Sequence, residues 1–115
     1  MAEREATVAQ LGAGAVRVVW SGLLSGDTGI PVNTACFGLN RSVQIFGTFG
    51  GATVAVQIRN HENGNWQGAT DPQANLISKT AEGGEEIQES SAMIRPAVTG
   101  GDATTDLTCV LEARR

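Results

Sequence analysis

The sequence predicts an all-β fold: an antiparallel β-sandwich or small β-barrel of about eight short strands, preceded by an extended N-terminal arm. Apolar residues alternate along residues 41–66, on both sides of Gly50-Gly51. The inward set is Val43, Ile45, Phe49, Val54, Val56 and Ile58. Fifteen glycines without a collagen period favour tight turns over a helical bundle. Turn signals recur about every ten residues, which is typical of sandwiches and barrels.

The chain has 115 residues, of which 41% are hydrophobic, enough for one domain with its own core. We expect residues 1–13 to form the arm and residues 14–115 a single β domain. The arm either pairs with a neighbouring subunit or stays disordered.

Charge and hydropathy exclude several classes of partner. The formal charge is −4 and the basic residues are scattered, which argues against nucleic acid. The N-terminus has early acids and an interrupted apolar pattern, unlike a secretory signal. No run approaches about 18 apolar residues, so we expect no membrane span and synthesis in a cytoplasm.

The first strand is predicted at Val16–Trp20, with alternate residues on one face. Residues 21–40 are broken by glycines and Pro31 and read as an ordered crossover loop. Because this loop is rich in apolar residues, it either packs over one end of the sandwich or contacts a partner.

A central hairpin is predicted around Gly50-Gly51, and Asn63-Gly64 marks the next reversal. Trp66 then begins another strand. Residues 76–79 are predicted to form a short edge strand. Residues 85–89 are predicted to form a second edge, whose glutamates discourage pairing with other strands.

The last two strands are predicted at residues 93–98 and 104–113. Pro96 indicates an edge strand or bulge, because proline cannot donate a ladder hydrogen bond. Cys109 alternates with Leu107 and Leu111 and should be a reduced core residue. Cys36 is also predicted to be reduced, in either loop or core.

No residues form a recognisable catalytic, metal-binding or cofactor-binding set, so we predict no cofactor and no enzyme activity. His61, the sole histidine, sits in a turn without companion ligands. Asp71, Asp102 and Asp106 lie near turns, where aspartate commonly caps its own backbone. Trp20 should lie in the core, whereas Trp66 either packs in the sandwich or contacts a partner or glycan.

Four segments together resemble small virion proteins of tailed bacteriophages. They are VVWSGLLSGDTGIPV, RSVQIFGTFGG, VQIRNHENGNWQGATDPQAN and MIRPAVTGGDATTDLTCVLEAR, in that order. The resemblance spans about residues 16–112. The turn at residues 60–64 departs from the commoner pattern of that group.

The resemblance implies a capsid decoration, or cement, protein on the head exterior that binds the major capsid protein, commonly as a trimer at threefold positions. We expect this protein to stabilise the capsid shell through the arm and the loop of residues 21–40. The candidate capsid or subunit contacts are Val8, Leu11, Leu23, Leu24, Ile30 and Pro31. Two alternatives remain: a glycan-binding or adhesion module on the virion that uses Trp66, and a head-completion or tail-tube component.

Overall fold

A computed structural model describes residues 2–12, 14–34, 40–61, 63–89 and 92–114. Within these ranges the chain forms twelve strands and no helix, so the all-β prediction is confirmed. The predicted number of strands was too low because five of the twelve are only two residues long. None of the described residues lies in a helix long and apolar enough to cross a membrane.

The strands follow one another along the chain with short connections. They are β1 (Glu3–Arg4), β2 (Ala6–Gly12), β3 (Ala15–Leu23), β4 (Thr28–Gly29), β5 (Val32–Asn33), β6 (Asn40–Thr48), β7 (Ala52–Arg59), β8 (Gln67–Gly68), β9 (Ser78–Lys79), β10 (Gly83–Glu86), β11 (Met93–Gly100) and β12 (Asp106–Arg114). One sheet has the order β1-β4-β11-β7-β8, with β5 also on β11 and β9 also on β7. The second has the order β10-β6-β12-β3-β2.

The core lies between the two sheets and follows the period-two pattern of the sequence. On β3, Val16, Val18 and Trp20 are buried, and β7 and β12 alternate in the same way. The buried apolar residues of both sheets form one cluster. Trp20 is its largest member, and Cys109 is buried within it as predicted.

The turn at Gly50-Gly51 joins two sheets, so the predicted central hairpin is wrong. β6 pairs with β10 and β12, whereas β7 pairs with β11 in the other sheet. Gly50 and Gly51 have φ angles of 57° and 83°, which glycine adopts without steric cost. Both strands bury one apolar face, and the turn lets those faces oppose each other across the core.

β11 is an interior strand, so the prediction of an edge for Pro96 is wrong. It pairs with β7 on one side and with β4 and β5 on the other. On this second side, Ile94 pairs with Val32 and Ala97 pairs with Thr28, and Pro96 lies between the two pairs. The opposing chain has three residues, 29–31, where β11 has two, so the predicted irregularity is present. A proline is tolerated there because the ladder is interrupted.

The described residues of the predicted N-terminal arm pair within their own chain. β1 runs parallel to β4, and β2 runs antiparallel to β3. Each is the outermost strand of its sheet. The N-terminal segment therefore contributes one strand to each sheet and is not a detached arm.

Candidate interaction surface

The strand β2 is an unprotected sheet edge. Its residues are exposed from Thr7 to Gly12, and no charged residue occurs from Ala6 to Val16. The opposite edge of the same sheet, β10, carries two glutamates, one of which pairs with Lys79 at 3.4 Å. Charges at an edge discourage pairing with other chains, and β2 lacks them. β2 is therefore the edge of this sheet best suited to accept another strand.

Val8 is an apolar residue on this edge that the rest of the described chain does not cover. It pairs in register with Val18, and residues paired across two strands project on the same side of the sheet. Val18 is 2% exposed in the core, whereas Val8 is 59% exposed. Val8 thus faces the interior without being enclosed.

Two clefts lie beside Val8, between β2 and the chain around β5. One, of about 240 Å³, is lined by Val8, Ile30 and Pro31 together with Glu5, Ala6 and Val32. The other, of about 320 Å³, continues from Val8 and Val32 to Val16 and Val18. The fold therefore brings together three of the residues predicted from the sequence as contacts, although Val8 lies more than twenty positions from Ile30 and Pro31.

The other predicted contact residues lie elsewhere. Leu11 is exposed on β2, and Leu24 is exposed in the turn after β3 but does not line either cleft. Leu23 is fully buried and pairs with Leu107, so its prediction as a surface contact is corrected. The sequence pattern missed this because the alternation of β3 breaks after Trp20, where β3 has one residue more than β12, and this bulge brings Leu23 into the core.

A buried carboxylate holds the N-terminal residues in place. Asp27 is 2% exposed and accepts hydrogen bonds from the Leu24 and Ala2 amides at 2.9 and 3.1 Å. The Arg4 Nε also donates to it at 2.7 Å. Burial acts to raise the pKa of the Asp27 carboxyl, but the donated hydrogen bonds and the Arg4 charge outweigh burial and hold this pKa below its ordinary value. The sequence predicted the turn at Gly26-Asp27 but not that Asp27 pairs with Arg4, which lies 23 residues earlier.

The core side of the clefts is held by Trp20. Its indole Nε1 donates to the Ile30 carbonyl oxygen at 3.0 Å. Gly29 packs so closely that a Cβ atom there would lie 2.6 Å from both the Trp20 ring and the Pro96 Cδ. The backbone at Ile30-Pro31 is therefore fixed by direct contact with the core.

Trp66, the residue predicted as an alternative ligand contact, immediately precedes β8 and is half-buried. The guanidinium carbons of Arg59 and Arg95 each lie 4.2 Å from the centre of its ring. Aromatic stacking of a sugar requires a free ring face. A glycan that stacks on Trp66 would have to compete with these cations, which weakens the glycan-binding alternative.

The polar groups singled out in the sequence make local hydrogen bonds. The Asp71 Oδ1 accepts from the Gln73 and Asn75 amides at 2.9 and 3.0 Å, and Asp102 caps the Thr104 amide at 2.8 Å. Their predicted roles as backbone caps are confirmed. The His61 Nδ1 accepts from the Asn63 amide at 3.0 Å. Among the described residues, no three His, Cys, Asp or Glu side chains are placed to hold a metal ion. Cys36 lies outside the described residues.

The fold and surface define an all-β protein of two facing sheets with one open apolar edge. A solved structure with this architecture is that of the SPBc2 prophage-derived protein YomS, which matches with a TM-score of 0.63. The match covers 93% of this chain and 100% of that chain, at 12% sequence identity, and so establishes a shared fold alone. No family model and no curated protein sequence matches the chain.

Proposed function

We propose that this protein is a structural component of a phage virion that binds and stabilises the capsid shell as a decoration protein, without catalysis. The observation that carries the proposal is β2: an uncharged edge strand whose Val8 faces the interior yet remains open to a partner. Such an edge combines backbone hydrogen-bonding groups with a site for apolar side chains, the two requirements of strand addition.

In this proposal an extended segment of the major capsid protein pairs with β2. Alternate side chains of the segment enter the clefts beside Val8 and Ile30. The ion pair between Arg4 and Asp27 holds β1 beside β4 before the partner binds. A preorganised edge loses less conformational entropy on binding than a mobile arm would.

Two further observations support a phage setting. The ordered sequence blocks over about residues 16–112 resemble small virion proteins of tailed bacteriophages. The fold is shared with a protein described as prophage-derived. We therefore propose synthesis in the bacterial host cytoplasm, assembly as a trimer, and a position on the capsid exterior at threefold sites.

The proposal is tested by adding the purified protein to capsids of a related phage that lack their decoration protein. Occupancy is measured by co-sedimentation and located by cryo-electron microscopy. Val8→Lys places a charge beside the apolar clefts and should reduce occupancy at least about tenfold, since burying an unpaired charge is costly. Thr7→Lys is the matched variant: it adds the same charge to the edge but on the other face of β2, where Thr7 pairs with Val19, and should therefore reduce occupancy less than Val8→Lys.

Equal occupancy for the Val8→Lys and wild-type proteins would show that the clefts are not the contact surface. Failure of the wild-type protein to bind any shell would contradict the proposed function itself. Light scattering of the purified protein adds a second test: a trimer agrees with decoration, whereas a ring of six or more subunits indicates a neck or tail component.

A further inference from the structure

Two arginines lie together on the outer face of the seven-stranded sheet. Arg59 alternates with buried Ile58 on β7, and Arg95 alternates with buried Ile94 on β11, so both side chains project away from the core. The strands pair Arg59 with Met93 and Arg95 with Gln57, which makes the two arginines diagonal neighbours. Both guanidinium groups lie against Trp66.

The two arginines differ from other arginines of the surface. Arg4, Arg17 and Arg114 each form an ion pair with a carboxylate of this chain. In the part of the chain that the structure describes, neither Arg59 nor Arg95 has a carboxylate oxygen within 4.0 Å. This is unexpected in a protein with 12 acidic and 8 basic residues.

The hydrogen-bonding capacity of the pair is also incompletely used. The Arg95 Nε donates to the Gln57 Oε1 at 2.8 Å, whereas the Arg59 Nε is buried and has no hydrogen-bond partner. Burial, and then the neighbouring charge of Arg59, lower the pKa of Arg95, while Glu3 acts in the opposite direction. Guanidinium groups remain charged under such conditions, so the two positive charges repel each other. An anion placed between them would remove that repulsion.

We propose that Arg59, Trp66 and Arg95, called here the arginine cluster, bind a carboxylate presented by an acidic segment of a partner protein. Arginine offers paired N–H donors that match the two oxygens of a carboxylate, and Trp66 holds both guanidinium groups in position. A peptide carboxylate is favoured over an acidic sugar because the cations already lie against the ring on which a sugar would stack. This site is separate from β2 and does not depend on the proposed capsid contact.

The test is a titration of the full-length protein with a tetraglutamate peptide, followed by NMR of the tryptophan indole N–H signals. Trp66→Phe assigns the two signals. We expect the Trp66 signal to shift on titration, and the Trp20 signal to stay unchanged because its indole is buried against the Ile30 carbonyl. Arg59→Gln and Arg95→Gln should each weaken binding at least about tenfold, since a hydrogen bond to a charged group contributes more than a neutral one.

Arg17→Gln is the matched control, because it removes an arginine that is already paired with Glu112 on the other sheet. It should leave the affinity unchanged. An unmoved Trp66 signal, or equal weakening by all three substitutions, would overturn the proposal. Inorganic phosphate and glucuronate are titrated in parallel. If either produces the same shift at a lower concentration than the peptide, the assignment to an acidic protein segment is wrong.

Discussion

Replacing Asp27 by alanine should strongly destabilise the fold, although the residue lies in the turn between β3 and β4. The carboxylate is 2% exposed and accepts hydrogen bonds from the Leu24 and Ala2 amides and from Arg4. The substitution removes all three acceptor contacts together. It also leaves the Leu24 amide without its acceptor in the turn between β3 and β4.

The expected cost follows from the exposure of each partner. A buried N–H group that loses its acceptor costs about 1–3 kcal/mol, and the hydrogen bonds from the Leu24 and Ala2 amides are partly buried. The Arg4 side chain is 37% exposed and can return to water, so its ion pair contributes only about 0.5–1 kcal/mol after screening. We therefore expect Asp27→Ala to lower the free energy of unfolding by about 2–4 kcal/mol. Asp102→Ala removes a cap from an exposed turn and should therefore cost less than Asp27→Ala.

The measurement is urea-induced unfolding at neutral pH, followed by tryptophan fluorescence, for the wild type and both variants. Asp27→Asn extends it to a pH series. Because the pKa of Asp27 is lower in the folded protein than its ordinary value of 3.8, its ionised form stabilises the fold above that value. This contribution is lost as the pH falls below about 4. The advantage of the wild type over Asp27→Asn should therefore shrink in acid.

Two results would refute this reasoning. A cost for Asp27→Ala no larger than that for Asp102→Ala would mean that the buried contacts contribute little to stability. The free energy of unfolding of the wild type should exceed that of Asp27→Asn by less below pH 4. If it does not, Arg4 and the amides do not act by stabilising the ionised carboxylate.

Three further outcomes are expected. Gly29→Ala should destabilise the protein by about 1–3 kcal/mol in urea unfolding, because its Cβ would lie 2.6 Å from core atoms. Gly51→Ala is the control: its Cβ would meet no atom within 4 Å, so only the roughly 1 kcal/mol cost of the positive φ angle is expected. In a Cys36→Ser variant the Cys109 thiol should not react with a thiol reagent at pH 8 until urea unfolds the protein. The reason is that burial raises the pKa of Cys109 to about 12. Reaction at the rate of a free thiol would contradict its burial. Arg17→Ala should cost less than about 1 kcal/mol, and the loss should decrease in high salt, since its pair with Glu112 is exposed.

The candidate surface was partly predictable from the sequence. Val8, Ile30 and Pro31 were identified as contact residues because they are apolar residues in segments that lack a strong core pattern. Their assembly beside one cleft depends on the pairing of β2 with β3 and of β5 with β11, which no local pattern indicates. The arginine cluster was not predicted, because Arg59 and Arg95 are 36 positions apart and meet only through the pairing of β7 with β11.

The sequence by itself determined the all-β class, the main strands and most of the residues that face the core. Alternation with period two is a local property, since each side chain projects to the opposite side from its neighbour. It therefore specified that Val54, Val56 and Ile58 are buried together. The same logic identified Cys109 as a core residue.

Only the tertiary structure decided which sheet each strand joins. A turn such as Gly50-Gly51 connects alternating strands equally well as a hairpin or as a passage between sheets, because both arrangements bury one face of each strand. Strand pairing is made by backbone groups that are alike in every residue except proline, so sequence patterns specify it weakly. For that reason the open edge at β2, the contact of Arg4 with Asp27 and the meeting of Arg59 with Arg95 follow from the assembled fold.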